Sequence, residues 1–295
     1  MGDYHVHLHP HTRRPGDLDP HSFPQDHIER YVARARERGL GEICFTEHLY
    51  RMVESEPILG RFWEGESAEV ASTTIRFVTA ERTFHLDEYV TAVVTAKDRG
   101  LPVLLGLEVD FFPETIDAAL DLIAPYPWDI LVGAVHWVGG FAFDHDEASF
   151  EFHRRGIDRV YEEYFAVETA LAASGAVDVL AHADKVKRSG FRPTVDPDGW
   201  YQSVATAAAA TGTAVEVSSA GLRQVCAEIY PAADFLAAFH RAGVGITLAS
   251  DTHRPDGAGE DFDKVVAAAR QAGFTERLAF AGRVSTPVPL EEAGG

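Results

Sequence analysis

The sequence predicts an α/β protein built as a closed barrel of parallel strands, a (β/α)7 barrel of TIM-like type. Seven short apolar runs alternate with segments whose apolar residues recur at spacings of three and four, the pattern of strands separated by amphipathic helices. Seven such rounds in 295 residues suit one closed barrel better than two open sheets, and right-handed crossovers make its strands parallel. The ionisable residues of the runs gather at their C-terminal ends, the rim on which a parallel barrel assembles a site. A doubly wound open sheet is the structural alternative.

In chain order, the strands read as YHVHL (4–8), EICFTEH (42–48), VLLGLEVDFF (103–112), DILVGAVHW (129–137), DVLAHAD (178–184), AVEVSS (214–219) and GITLASDTH (245–253). Helical periodicity covers 25–38, 86–98, 114–124, 158–174, 198–211, 231–242 and 261–272. Two stretches break the rhythm, about 50–82 after the second strand and about 139–155 after the fourth. Both read as loops over one face of a single domain spanning 1–295. Gly and Pro mark turns rather than an interdomain linker, and no sequence repeat is present beyond the βα alternation.

Composition narrows the function. With 46 acidic and 26 basic residues the formal charge is −20, which repels an extended polyanion such as nucleic acid unless cations are gathered locally. Part of that acidity can be offset by bound cations, since ligating carboxylates count as negative only in the bare sequence. Two cysteines, Cys44 and Cys226, make no disulfide framework, and the start of the chain lacks a signal-peptide pattern, so the expected compartment is the cytoplasm. No apolar run is long enough to span a bilayer. Oligomeric state is not legible here.

The chemistry lies at the strand ends. DYHVHLHPH (3–11) places four of the 14 histidines at alternate positions. His5 and His7 are two apart on a strand, point the same way and can grip one cation through neutral imidazole. Further strand ends carry Glu47 and His48, Glu108 and Asp110, His136, His182 and Asp184, and Asp251 with His253. Each would bear a desolvation cost at a barrel mouth unless it bound something. Seven histidines and two carboxylates exceed the needs of one ion, so two or three divalent transition-metal ions are expected. Mixed imidazole and carboxylate donors suit Zn, Fe and Mn alike. Glu108 could bridge two of them, and a hydroxide held between cations would be a strong nucleophile at neutral pH.

Taken together these motifs resemble the polymerase and histidinol phosphatase (PHP) superfamily over nearly the whole chain, most closely its histidinol-phosphatase branch. DYHVHLHPH is similar to the first motif, FTEH to the second, GLEVDF and VGAVHW to the segments bearing the bridging Glu and the next His, VLAHADKVKRSG to the third and ASDTH to the fourth. EVSSAGLRQVCAEIYP favours the histidinol-phosphatase branch over the polymerase-associated members. The resemblance implies a distorted seven-stranded barrel with three metals: one on His5, His7, Glu108 and Asp251, a second sharing Glu108 with His136 and His182, a third on His48, His253 and a first-motif residue. The spacer after H-x-H is about two residues shorter than the family's, which leaves His9, His11 and Asp17 as candidates; His11 is the best match. The implied activity is hydrolysis of a small phosphorylated metabolite, L-histidinol phosphate first.

For such an ester, Glu108, Asp251 and His253 are the expected catalytic residues, with the proton donor to the leaving oxygen open between Asp251, His253 and a water. Arg223 is the first candidate to grip phosphate, followed by Lys185, Arg188 and Arg254; Lys187 reads equally well as a solvated charge. Asp144, Asp146 and Glu147 are expected to face solvent, although with Trp137 their loop could roof the substrate and contact an ammonium group. Phe62 and Trp63 could pack or form a lid. His21, His27, His85, His145, His153 and His240 read as surface or packing residues, and Cys44 as an inert core thiol. Other readings are a PHP phosphoesterase acting on nucleotides, an amidohydrolase, which a D-x-H last motif disfavours, and a metal-binding module without catalysis.

Overall fold

The structure is a computed structural model and describes residues 1–290 apart from 12, 13, 15–17 and 20. Its strands are β1 (Gly2–Val6), β2 (Glu42–Phe45), β3 (Val103–Asp110), β4 (Ile130–Ala134), β5 (Trp137–Val138), β6 (Phe141–Ala142), β7 (Val179–Leu180), β8 (Ala214–Ser218), β9 (Ile246–Ala249), β10 (Glu276–Ala281) and β11 (Val284–Pro289). Seven of them, in the order β1-β2-β3-β4-β7-β8-β9, pair in parallel. The chain just past β9 returns to β1: Asp251 N–H donates to His5 O at 2.9 Å and His7 N–H to Thr252 O at 2.8 Å, so the barrel is nearly closed. At that seam the buried Asp3 carboxylate accepts from Ser250 N (2.9 Å), Ser250 Oγ (2.6 Å) and Gly259 N (2.8 Å), satisfying donors that the incomplete ladder leaves over.

Helices Gln25–Glu37, Leu86–Asp98, Ile116–Ile123, Ile157–Ser174, Asp198–Thr211, Ala233–Arg241 and Phe262–Gln271 fill the predicted positions. Their apolar stripes pack on a sheet whose strands are buried on both faces, as a wrapped parallel sheet requires.

Two segments read as loops are structured. The first insertion holds the short helix Glu56–Leu59 and the longer helix Ala68–Glu81. Ser67 Oγ caps the latter by accepting from Val70 N, and the helix buries only Val70, Thr74 and Val78. So narrow a stripe hides the helical period. The second insertion forms the β5–β6 hairpin and the helix Phe150–Arg155. The two insertions pack together through Thr74 Oγ1, which donates to Gly140 O at 2.7 Å, and Gly140 N, which donates to Glu66 Oε1 at 2.9 Å. A Cβ at Gly140 would stand 2.6 Å from Trp63 Cα, so this contact requires glycine.

The β10–β11 hairpin was not foreseen. Its Phe280 and Leu278 join Tyr4, Cys44, Ile130, Val132, Val179 and Ala214 in the cluster that fills the barrel at the start of the strands. Arg283 Nε donates to Asp178 at 3.0 Å and Gly282 N to Asp129 at 3.2 Å, pinning the hairpin across that end. The C-terminal rim is left open for a site. Cys44 is sealed in this cluster, and burial pushes its thiol well above the usual range, which makes it inert.

Candidate metal centre

Alternation along β1 sends His5 and His7 to the same side, into the C-terminal mouth, where their Nε2 atoms lie 3.0 Å apart. Glu108, near the end of β3, is the hub. Its Oε2 is 2.6 Å from His48 Nδ1, 3.4 Å from His5 Nε2 and 3.5 Å from His7 Nε2. Its Oε1 is 3.1 Å from His182 Nε2 and 3.3 Å from His136 Nε2. Asp251 Oδ1 approaches His7 Nε2 at 3.3 Å and His5 Nε2 at 3.6 Å, with His253 Nδ1 at 3.9 Å. Residues drawn from across the chain thus meet on one rim. Both His182 (φ 28°) and Asp251 (φ 48°) hold left-handed backbone without being glycine, a local strain of about 1–3 kcal/mol each of the kind that collects at functional sites.

The donor set fits divalent cations. Several buried atoms make no hydrogen bond: both nitrogens of His48, Glu108 Oε2, His136 Nε2, His182 Nδ1 and His253 Nε2. Glu108 Oε2 and His48 Nδ1 are close but misaligned for a hydrogen bond. A group of unsatisfied nitrogens and oxygens sharing one buried space is costly unless a cation takes their lone pairs. Outer carboxylates orient the rings: Glu216 Oε2 is 2.8 Å from His5 Nδ1, Asp110 Oδ1 is 2.9 Å from His136 Nδ1, and Glu47 Oε2 stands 3.7 Å from His7 Nδ1. Each takes or faces the Nδ1 side and leaves Nε2 turned to the centre.

The charges follow. Burial alone would raise Glu108, but His48, His5 and His136 around it hold its carboxyl well below the usual range. Asp251 is likewise held well below by His5 and His7 against burial. Burial lowers His48, His182 and His253, which keeps them neutral with lone pairs available. Burial also opposes protonation of His136, and Lys185 does the same, yet Glu108 and Asp110 raise it to about 9.

Eight of the nine expected ligands therefore share the rim: His5, His7, His48, Glu108, His136, His182, Asp251 and His253. Among the described residues, donor atoms within 4.8 Å of one another group as His5–His7–Asp251, His5–Glu108–His182, His48–Glu108–His136 and His7–His48–His253. The expected set of Glu108, His136 and His182 is thus divided, and His7 joins His48 and His253 where His11 was expected. His11 stands beside this last group, its ring centroid 4.6 Å from that of His253 and 5.1 Å from that of His48. His9 is turned away. Its ring packs on Phe23 and Phe84, with Nε2 2.9 Å from Ser22 O, because the loop rotates after β1 ends and strand alternation no longer applies. Asp17 lies outside the described residues.

A cleft of about 790 Å³ opens onto the centre, and Arg223, Lys185, Arg188 and Arg254 all line it, as does Arg14, which the sequence reading missed. Arg223 is anchored on Ser250 O and Ser219 Oγ (3.2 Å). Lys185 Nζ sits 3.4 Å from both His182 Nε2 and Asp144. One open reading is decided and one surface expectation is corrected. Lys187 is buried and bonded to Asp184 (2.8 Å) and Ile229 O (2.9 Å), so it is structural. Asp144 lines the cleft instead of facing solvent, drawn in by Lys185. Arg188 pairs with the exposed Asp146 at 2.8 Å. His145 also lines the cleft, 3.8 Å from the Phe77 ring centroid. Trp137 and Tyr50 line it as well, their ring centroids 5.2 Å apart and edge to face. Phe62 and Trp63 pack behind Trp137 as a hydrophobic cluster.

Glu216, Glu47 and Asp110 were not assigned roles beforehand. For Glu216 the available signal was a carboxylate in the middle of an otherwise apolar strand.

A family profile for the PHP domain matches residues 7–220. The chain belongs to the PHP domain family. His5, Asp251 and His253 lie outside the matched stretch but share its rim. A relative from Deinococcus radiodurans, named "Probable histidinol-phosphatase", is 30% identical over 247 residues, 82% of this chain and 86% of its own. The fold is also that of the histidinol phosphate phosphatase of Lactococcus lactis, solved with zinc, L-histidinol and phosphate: TM-score 0.70 at 21% identity, over 97% of this chain and 98% of that one.

Proposed function

We propose that this PHP protein is a metal-dependent phosphomonoesterase that hydrolyses L-histidinol phosphate to L-histidinol and phosphate, the whole chain acting as one barrel domain. The observation that carries the proposal is Glu108, a buried carboxylate within 3.5 Å of five histidines, an arrangement suited to bridging cations. The name of the Deinococcus relative and the ligands of the Lactococcus structure support the choice of substrate. By the family resemblance His5, His7, Glu108 and Asp251 would hold one ion, Glu108 with His136 and His182 a second, and His48, His253 and His11 a third, each Zn, Fe or Mn, while the donor spacing also lets His5 and His48 share Glu108 with His182 and His136 and lets His7 join His48 and His253. When bound, such ions neutralise phosphoryl charge and lower the pKa of a water to near neutrality.

The protein's own residues do the rest. Arg223, Lys185, Arg188 and Arg254 bring positive charge to one side of an acidic rim and orient the dianion. Asp251, held ionised, and His253, held neutral, serve here as ligands, so the proton for the leaving alkoxide falls to a water in the cleft. Trp137, Tyr50 and His145 offer flat faces to the alcohol's ring, and Asp144 an acid to its ammonium group. No helix among the described residues is long and apolar enough to cross a membrane. Turnover of L-histidinol phosphate by the purified protein, abolished by chelator and restored by Zn, Mn or Fe, tests the proposal. Chelator-insensitive turnover, or none with any of the three metals, refutes it.

A further inference from the structure

Three histidines of the centre have an outer carboxylate on the Nδ1 side: His5 with Glu216, His136 with Asp110 and His7 with Glu47. All three carboxylates come from the barrel strands or the residues that continue them. A fourth pair repeats the pattern from a different source. His11 Nδ1 lies 3.0 Å from Glu81 Oε2, and Glu81 is the last residue of the insertion helix Ala68–Glu81.

Glu81 is itself held in place. Arg51, buried, lies 2.9 Å from the same Oε2, while its other nitrogen donates to His9 O at 3.0 Å. Its guanidinium carbon sits 4.6 Å from the Phe84 ring centroid. From the barrel side, Glu47 Oε1 accepts from Leu8 N (2.6 Å) and His9 N (3.2 Å). The loop after H-x-H is therefore gripped from both sides.

We propose that Glu81 is a positioning residue for the metal centre: clamped by Arg51, it takes the Nδ1–H of His11 and so presents Nε2 toward the ion that His48 and His253 would hold. This rests on the reading of His11 as a ligand. A neutral imidazole has one N–H and one lone pair, so a carboxylate on one nitrogen selects the tautomer that donates to metal from the other. The first insertion, which stands outside the βα alternation, thereby contributes to the site.

The experiment titrates metal-free wild type, Glu81→Ala, Glu81→Gln and His11→Ala with Zn²⁺, reading stoichiometry and the dissociation constant of each ion. His11→Ala should lose tight binding of one ion. Glu81→Ala should weaken the same ion about 10–100-fold and leave the others unchanged, as loss of an outer-shell partner does. Glu81→Gln, whose amide oxygen can still accept the Nδ1–H, should restore most of that loss. In the zinc-loaded wild type, ¹⁵N chemical shifts should show His11 with Nδ1 protonated and Nε2 bound, a readout that needs no variant to fold. If His11→Ala keeps the full complement, the ligand reading fails and the proposal with it. If His11→Ala loses an ion but Glu81→Ala binds all as wild type does, the ligand reading stands and the role of Glu81 is refuted. Equal weakening of every ion in Glu81→Ala, or a His11 protonated on Nε2, also refutes it.

Discussion

Glu108→Gln is the sharpest perturbation of this centre, because it keeps the side chain's size and removes only its charge. The carboxylate lies within 3.5 Å of His5, His7, His48, His136 and His182, and the sets built on it make it common to two ions. Loss of a supporting outer carboxylate costs about 10–100-fold in metal affinity. A shared direct ligand costs each ion at least as much. The doubly loaded fraction should therefore fall by at least about 10²–10⁴-fold at limiting metal, roughly 2.7–5.4 kcal/mol at 1.36 kcal/mol per decade. Metal content after gel filtration and turnover of L-histidinol phosphate at matched free Zn²⁺ measure it, with circular dichroism to confirm the fold. Wild-type turnover at wild-type metal content would refute the argument that Glu108 bridges the ions.

Other perturbations separate the parts of the molecule. In the metal-free protein, Glu108 and Asp110 overcome burial and Lys185 to keep His136 protonated up to about 9, whereas a ligand must be neutral. Zn²⁺ affinity should therefore rise with pH up to about 9 and level off above it, with proton release on binding near pH 7, measured by calorimetry in buffers of different ionisation enthalpy; a flat profile counts against His136 as a ligand. Arg223→Ala should raise KM for the phosphate ester about 10-fold or more with little change in kcat, since it removes a charge-assisted contact worth about 1.5–3 kcal/mol. An unchanged KM at full metal content moves the phosphate pocket elsewhere. Phe280→Ala should lower stability by about 3–5 kcal/mol in urea while the folded protein binds metal normally, because the plug and the centre sit at opposite ends of the barrel; a loss under 1 kcal/mol, against the central tendency for buried Phe, would mean the hairpin does not seal it.

Much of this protein is decided by local rules. Strand alternation puts His5 and His7 on one side, the 3.6-residue period marks the seven enclosing helices, and the C-terminal ends of parallel strands share a rim; no long-range information is needed for any of these. The tertiary structure decides what depends on which residues become neighbours. Whether His9 or His11 faces the metals turns on how the loop rotates after β1, and Arg51, Glu47 and Glu81 set that rotation from other elements. Glu216 meets His5 only because closure of the barrel brings β9 against β1 and so β8 to within one strand of it, 211 residues apart in sequence. The helix Ala68–Glu81 and the β10–β11 hairpin present stripes too narrow to declare themselves, since each buries its few apolar residues against surfaces that exist only once the barrel has closed.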